Sequence, residues 1–118
     1  MATTAIAFVD LTPTLRMEFL AGEPSQPSWW RDVYRSRGKE VHHQGYTLHN
    51  ATDVWDVVQR FSAAGLGAAV QWGRWGTEDR ASGGCYVYMD SQETLGVTVE
   101  ILSSSTGCDS LPAQPPAA

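Results

Sequence analysis

The feature that most constrains the fold is a strand, a helix and three further strands in succession over residues 41–102. Apolar residues at i, i+3 and i+4 spacing predict the helix, which ends at Gly65 or Gly67; they are Val54, Val57, Val58 and Phe61. Asn50 and Asp53 are candidate N-caps for it. Strands are predicted over residues 41–48, 69–75, 85–90 and 97–102. The order defines a complete βαβββ module.

A β-hairpin is predicted ahead of this module, with strands over residues 6–11 and 15–20. Alternation in the second strand places Leu15, Met17 and Phe19 on one face and Arg16, Glu18 and Leu20 on the other. A short helix, capped by Ser28 and ended by Gly38, follows the hairpin. The chain is therefore predicted to be α+β, a βαβββ module plus an N-terminal β-hairpin.

The length of 118 residues allows one domain, and no composition shift divides residues 5–102. We therefore expect a single domain over residues 5–102. Residues 103–118 are rich in Ser, Pro and Ala and are predicted to be a disordered C-terminal tail.

Charge and cysteine content exclude several classes of protein. The net charge of −5 argues against a nucleic-acid partner, and a single lysine, Lys39, argues against a polybasic membrane patch. No apolar run approaches the roughly 20 residues of a membrane span, and the N-terminus does not resemble a signal peptide. Cys85 and Cys108 are too few for a disulfide framework, and Cys85 is interpreted as an inert strand residue. We expect a cytoplasmic protein that binds neither nucleic acid nor membrane.

Three ionisable residues, Glu18, His43 and Glu100, lie in the middle of predicted strands on the more polar strand face. Such groups are rarely fully buried unless they are paired or coordinated. Each could simply face solvent from a half-exposed sheet. Together, a histidine and two carboxylates also suit a divalent-metal site that is open to substrate. Spacing alone does not bring the three strands together.

A second set of residues suggests a ligand pocket. Tyr86 and Tyr88 share a strand face, and Trp72 and Arg74 share a face of the neighbouring strand, with Gln71 opposite. Ordinary aromatic packing in a sheet explains this set. The functional alternative is an aromatic substrate pocket in which Arg74 meets an anionic group.

Several segments in consistent order resemble the vicinal oxygen chelate superfamily, closest to the glyoxalase-like branch that contains methylmalonyl-CoA epimerase. The resemblance covers about residues 5–102 and rests on residues 16–20 (RMEFL), 27–32 (PSWWRD), 38–46 (GKEVHHQGY), 50–53 (NATD), 73–76 (GRWG), 84–90 (GCYVYMD) and 95–102 (LGVTVEIL).

The resemblance implies a cup-shaped, mixed and curved sheet built from two βαβββ modules, with metal ligands on the first and last strands of each. Matched residue by residue, the ligands are Glu18, His43 and Glu100. The first strand, helix and second strand of the first module have no counterpart here, and the fourth ligand normally comes from that first strand. The predicted divalent-metal site is therefore either three-coordinate from protein, completed by a partner chain, or empty. Because an open half-cup exposes strand edges, we expect a homodimer that closes the cup.

Two functions follow from the resemblance. The first is an isomerase, epimerase or lyase that removes a proton from a small carbonyl or acyl-thioester substrate, with Glu18 or Glu100 as the base. A metal-free variant would use His43 and Glu100 as acid and base. The second is a metal-free dimeric protein that binds a drug-like molecule, because the superfamily includes bleomycin-resistance proteins.

Overall fold

The computed structural model describes residues 4–22, 25–38, 40–49, 52–76 and 83–113. The elements are β1 (Thr4–Thr12), β2 (Leu15–Gly22), α1 (Trp29–Arg37), β3 (His43–Thr47), α2 (Val54–Ala63), β4 (Ala69–Trp75), β5 (Gly84–Met89), α3 (Gln92–Leu95) and β6 (Thr98–Ser104), followed by a 3-10 turn (Ser105–Gly107). The α+β class and the predicted order of strands and longer helices are confirmed. The single-turn helix α3 was not predicted.

The chain divides into two compact units, Met1–Glu40 and Val41–Ala118, although the sequence shows no internal boundary. In the first unit, β1 and β2 form an antiparallel hairpin in which Phe8 lies opposite Glu18. Helix α1 follows the hairpin. It begins after Ser28, whose side chain accepts a hydrogen bond from the Arg31 amide as an N-cap does. The helix ends at Gly38, whose φ of 78° suits a residue without a Cβ atom.

The second unit is a four-stranded mixed sheet in the order β3-β6-β5-β4. The first and last strands of the unit, β3 and β6, pair in parallel, and the other pairs are antiparallel. Helix α2 begins at the Asp53 cap and packs Val54 and Val58 into the core of the unit. Its sheet partners in that core include Val87, Met89, Val99 and Ile101. Asn50, the other candidate cap, lies outside the described residues.

The C-terminal segment corrects the sequence analysis. Residues 103–113 are not a disordered tail: β6 continues to Ser104, and Cys108 and Leu111 are buried in the core cluster. Cys85 is not an inert thiol, because it forms a disulfide with Cys108. The prediction failed because a bond between residues 23 positions apart leaves no local signal in composition. The remainder of the predicted tail, residues 114–118, lies outside the described residues.

No helix within the described ranges is long and apolar enough to cross a membrane.

Candidate functional site

The candidate site lies on the face of the second sheet that points away from α2. Because side chains alternate along a strand, the register fixes which residues share this face. His43 lies beside Thr98, and Glu100 lies between Gly45 on β3 and Tyr88 on β5. Gln71 on β4 lies beside Tyr88 in turn. We call this set the polar face; its members are His43, Gly45, Gln71, Gly73, Tyr86, Tyr88, Thr98 and Glu100.

A histidine–carboxylate pair stands at the centre of the polar face. His43 Nε2 lies 3.4 Å from Glu100 Oε1, and the two side chains are only 9% and 8% exposed. Burial, with a smaller contribution from the charge of His42, lowers the pKa of His43 from 6.5 to about 4. Burial acts in this direction because it disfavours the charged imidazolium. His43 is therefore a neutral imidazole at neutral pH.

The preceding residue, His42, contacts His43 directly. Their Nδ1 atoms are 2.8 Å apart, and their rings meet edge to face with centroids 5.1 Å apart. The His42 ring also lies 5.3 Å from the ring of Tyr88. His42 is thus part of the same group of side chains, although it lies just before β3 in the chain.

Two tyrosines continue this group along β5. Tyr88 is 2% exposed, and its ring lies 5.0 Å from that of His43 and 5.2 Å from that of Tyr86. The Tyr86 hydroxyl accepts a hydrogen bond of 3.3 Å from the Gln71 amide. Burial raises the pKa of Tyr86, although the Gln71 contact acts in the other direction. Tyr86 therefore stays a neutral hydroxyl that can donate to a ligand.

Two glycines leave room for these side chains. A Cβ atom at Gly45 would lie 2.9 Å from Glu100 Oε1 and 2.9 Å from Leu102 Cδ1. A Cβ atom at Gly73 would lie 3.1 Å from both Cε1 and the hydroxyl of Tyr86. Each glycine therefore lets the neighbouring functional side chain lie across its strand.

The structure brings together five of the eight predicted site residues, namely His43, Gln71, Tyr86, Tyr88 and Glu100. Trp72 and Arg74 lie on the opposite face of β4, as expected from the placement of Gln71. The Trp72 indole donates a 2.7 Å hydrogen bond to the Pro112 carbonyl, and Arg74 Nη2 lies 3.4 Å from the Leu111 carbonyl. Their partners belong to the C-terminal segment, so the prediction that they share a substrate pocket with the tyrosines is corrected.

Glu18, the remaining predicted ligand, lies in β2 of the first unit, opposite Phe8. Within the part of the chain that the structure describes, no group of three or more His, Cys, Asp or Glu side chains could hold a metal ion. His43 and Glu100 supply two side chains of this kind. The sequence did not assign His42 to the site. The signal that could have identified it is its position directly before His43.

No family model matches this chain, and no curated protein matches it. The geometry of the polar face is therefore the basis for assigning a function.

Proposed function

We propose that the polar face is the active site of an isomerase, epimerase or lyase that removes a proton next to the carbonyl group of a small carbonyl or acyl-thioester substrate. The observation that carries the proposal is the buried pair of His43 and Glu100 at 3.4 Å. A histidine beside a carboxylate in a dry site is a common arrangement for acid–base catalysis.

The two residues would divide the chemistry between them. The Glu100 carboxylate takes the proton from the carbon, and the electron pair of that bond moves onto the carbonyl oxygen. The neutral His43 donates its Nε2–H to this oxygen as negative charge develops there. Protonation of the opposite face of the carbon by water, with release of the abstracted proton from Glu100 to solvent, gives the epimer. Return of the proton from Glu100 to the neighbouring carbon gives the isomer, and loss of a leaving group with its electron pair completes a lyase reaction.

The remaining residues of the polar face would bind the substrate. The Gln71 amide and the Tyr86 hydroxyl already share a hydrogen bond, so each is positioned to contact a polar substrate group. The Tyr88 ring beside His43 supplies an apolar wall that keeps water away from the base. Gln71, Tyr86 and Tyr88 all belong to the predicted substrate-binding set. Trp72 and Arg74, which lie on the other face of β4, are given no role.

The superfamily resemblance implies a divalent metal ion, and the pair fits such an ion in part. His43 Nε2 and Glu100 Oε1, which are 3.4 Å apart, would hold the ion, and His43 would then carry its proton on Nδ1 rather than on Nε2 as in the metal-free site. When bound, the ion would polarise the carbonyl oxygen. Glu18 belongs to the other unit and is left out of this proposal.

The test measures proton abstraction directly. Purified protein is first analysed for metal content and then incubated in D₂O with a panel of 2-oxo acids and 2-substituted acyl thioesters. Exchange of the hydrogen next to the carbonyl is followed by NMR. We expect exchange with at least one class, and a loss of about 10² or more in rate in Glu100→Gln and in His43→Ala.

The matched control is Glu93→Gln, which removes an exposed carboxylate from α3. It should leave the exchange rate unchanged. Equal rates in the wild type and in both active-site variants would contradict the proposal.

A second candidate is the metal-free dimeric protein that binds a drug-like molecule. It is favoured by a row of four rings, His42, His43, Tyr88 and Tyr86, whose successive centroids are 5.0–5.2 Å apart. Such a row beside Glu100 suits a cationic aromatic ligand. Ligand binding that is unchanged in His43→Ala and Glu100→Gln, with no bound metal and no exchange, would favour this candidate.

A further inference from the structure

The contact between His42 and His43 has a chemical consequence for the site. Their Nδ1 atoms lie 2.8 Å apart, which is a hydrogen-bond distance. Two bare nitrogens would repel each other at this separation, and two protonated nitrogens would clash. One proton therefore lies between the rings, carried by either His42 or His43.

The position of that proton decides what His43 presents to Glu100. A neutral imidazole carries a proton on only one nitrogen. If His43 carries the shared proton on Nδ1, its Nε2 presents a lone pair to the acceptor oxygen 3.4 Å away, which is repulsive. If His42 carries it, His43 holds its own proton on Nε2 and donates toward the carboxylate. Only the second arrangement satisfies both contacts.

We propose that His42 is a positioning residue that donates its Nδ1–H to His43 and so fixes His43 as the tautomer with its proton on Nε2, facing Glu100. The assignment is compatible with a neutral His42 that carries its proton on Nδ1 and with the imidazolium form, which carries a proton on both nitrogens. It depends on the proposed function only in treating Glu100 as an ionised carboxylate. The low pKa of His43 agrees with its role as a neutral acceptor at Nδ1.

The packing of the His42 ring makes the contact specific. The ring meets those of His43 and Tyr88 at interplanar angles of 86° and 73°, and both centroids are within 5.3 Å. Tyr88 is in turn 2% exposed and fixed on β5. These two ring contacts therefore help to set the orientation of His42 in addition to the shared proton. Removing its donor should leave Glu100 as the remaining one of these two contacts that favours the Nε2 proton, so the fraction of His43 with its proton on Nδ1 should rise.

The first test reads the tautomer without a substrate. Protein labelled with [¹⁵N]histidine is examined at pH 7.5 with a chelator present, and the three histidines are assigned from single variants. We expect His43 to show a protonated Nε2 and a bare Nδ1, and His42 to show a protonated Nδ1. A wild-type His43 protonated on Nδ1 would overturn the proposal by itself, with no variant required.

Two variants then separate donation from packing. His42→Phe keeps a ring against His43 and Tyr88 but removes the donor, so the minor tautomer of His43, with its proton on Nδ1, should become more populated although Glu100 still favours Nε2. His42→Asn places an amide N–H near the former Nδ1 position and should restore the single tautomer. His49→Phe, at an exposed histidine of the same segment, is the control and should change nothing. A His43 tautomer that is unchanged in His42→Phe would refute the proposal.

The second test uses the exchange assay. Loss of an outer hydrogen bond to a catalytic histidine costs about 10–100-fold in activity at metal sites, and we expect a loss in that range for His42→Phe with recovery in His42→Asn. Equal rates in the wild type and His42→Phe would contradict the positioning role. If no substrate exchanges, the proposed function fails, whereas the tautomer measurement still decides the assignment of His42.

Discussion

His43 is a neutral histidine because its surroundings favour the uncharged ring. It is 9% exposed, and burial together with the neighbouring His42 charge lowers its pKa to about 4. In the unfolded chain the same group returns to its ordinary pKa of 6.5. This difference links the stability of the protein to pH.

We predict that the metal-free protein loses stability as the pH falls from 6.5 toward 4. The unfolded chain binds a proton in this range and the folded chain does not, so protonation favours unfolding. The contribution of neutral His43 to the free energy of unfolding is fully present above pH 6.5. It decreases no further once the pH is below the folded-state pKa of about 4. From pH 7 to pH 5 the free energy of unfolding should fall by about 2 kcal/mol through this group.

Urea titrations at several pH values, with a chelator present, measure this effect. His43→Gln should flatten the pH dependence over that range, whereas His49→Gln should retain it. The same slope in the wild type and in His43→Gln would show that His43 is not the group responsible.

We predict that Gly45→Ala displaces the Glu100 carboxylate. The new Cβ atom would lie 2.9 Å from Glu100 Oε1, and this flexible side-chain end can move away. The cost in stability should therefore be small, about 1 kcal/mol or less, while exchange activity falls at least tenfold. Gly22→Ala is the control, because its Cβ atom would make only an ordinary 3.6 Å contact with Trp30. Full activity in Gly45→Ala would contradict this prediction.

At the residue scale, alternation within a strand was enough to place His43 and Glu100 on polar strand faces. The resemblance, rather than spacing, suggested that the two meet, and the parallel pairing of β3 with β6 brings them together. The assignment of Trp72 and Arg74 failed for a different reason. Which face of β4 meets the tyrosines depends on the β4–β5 register, which shifts between Ala69 and Gln71. No pattern within one strand contains that information.

At the element scale, the C-terminal segment is the part of the fold that local sequence describes least well. This segment is ordered because it contacts residues that are far away in the chain. The disulfide joins Cys108 to Cys85 on β5, and the Ser110 hydroxyl donates to Asp53, the cap of α2. The helices and strands, in contrast, were predicted because caps and periodicity are local signals. The predicted bounds of β4, residues 69–75, agree with the structure.

We predict that removing the disulfide destabilises the second unit by about 3 kcal/mol, because the bond closes a loop between residues 23 positions apart. Cys108→Ala and the reduced wild type should both show this loss in urea unfolding, compared with the oxidised protein. A free energy of unfolding that is unchanged by reductant would contradict the prediction. Disulfides are rare in cytosolic proteins, so the bond also weighs against the predicted cytoplasmic location.

At the scale of the whole molecule, the first unit exposes much apolar surface. Val9, Met17 and Phe19, which share one face of the hairpin, are 47%, 46% and 54% exposed. A two-stranded hairpin is marginally stable alone, and contiguous exposed apolar surface is a frequent mark of an interface. The homodimer expected from the sequence stays a prediction, and the hairpin is where we expect a second copy to pack.

We predict that the protein is a dimer at micromolar concentration and that Met17→Ser/Phe19→Ser shifts it to the monomer. Light scattering after gel filtration measures the mass in solution. Val41→Ser, at a residue of the second unit that is 67% exposed, is the matched control and should remain dimeric. A wild-type protein that is monomeric over the accessible concentration range would refute the dimer.

The sheet order β3-β6-β5-β4 also determines when the site forms during folding. Strands β4, β5 and β6 pair with neighbours close in sequence, whereas β3 must wait for β6, because His43 and its partner Thr98 are 55 positions apart. Closing such a long loop costs entropy that local pairings avoid. We therefore expect substitutions in β3 to accelerate unfolding with little effect on the folding rate, and substitutions in β5 to slow folding. The His43–Glu100 pair would then be among the last contacts made on folding and the first lost on unfolding, so that activity disappears before the sheet does.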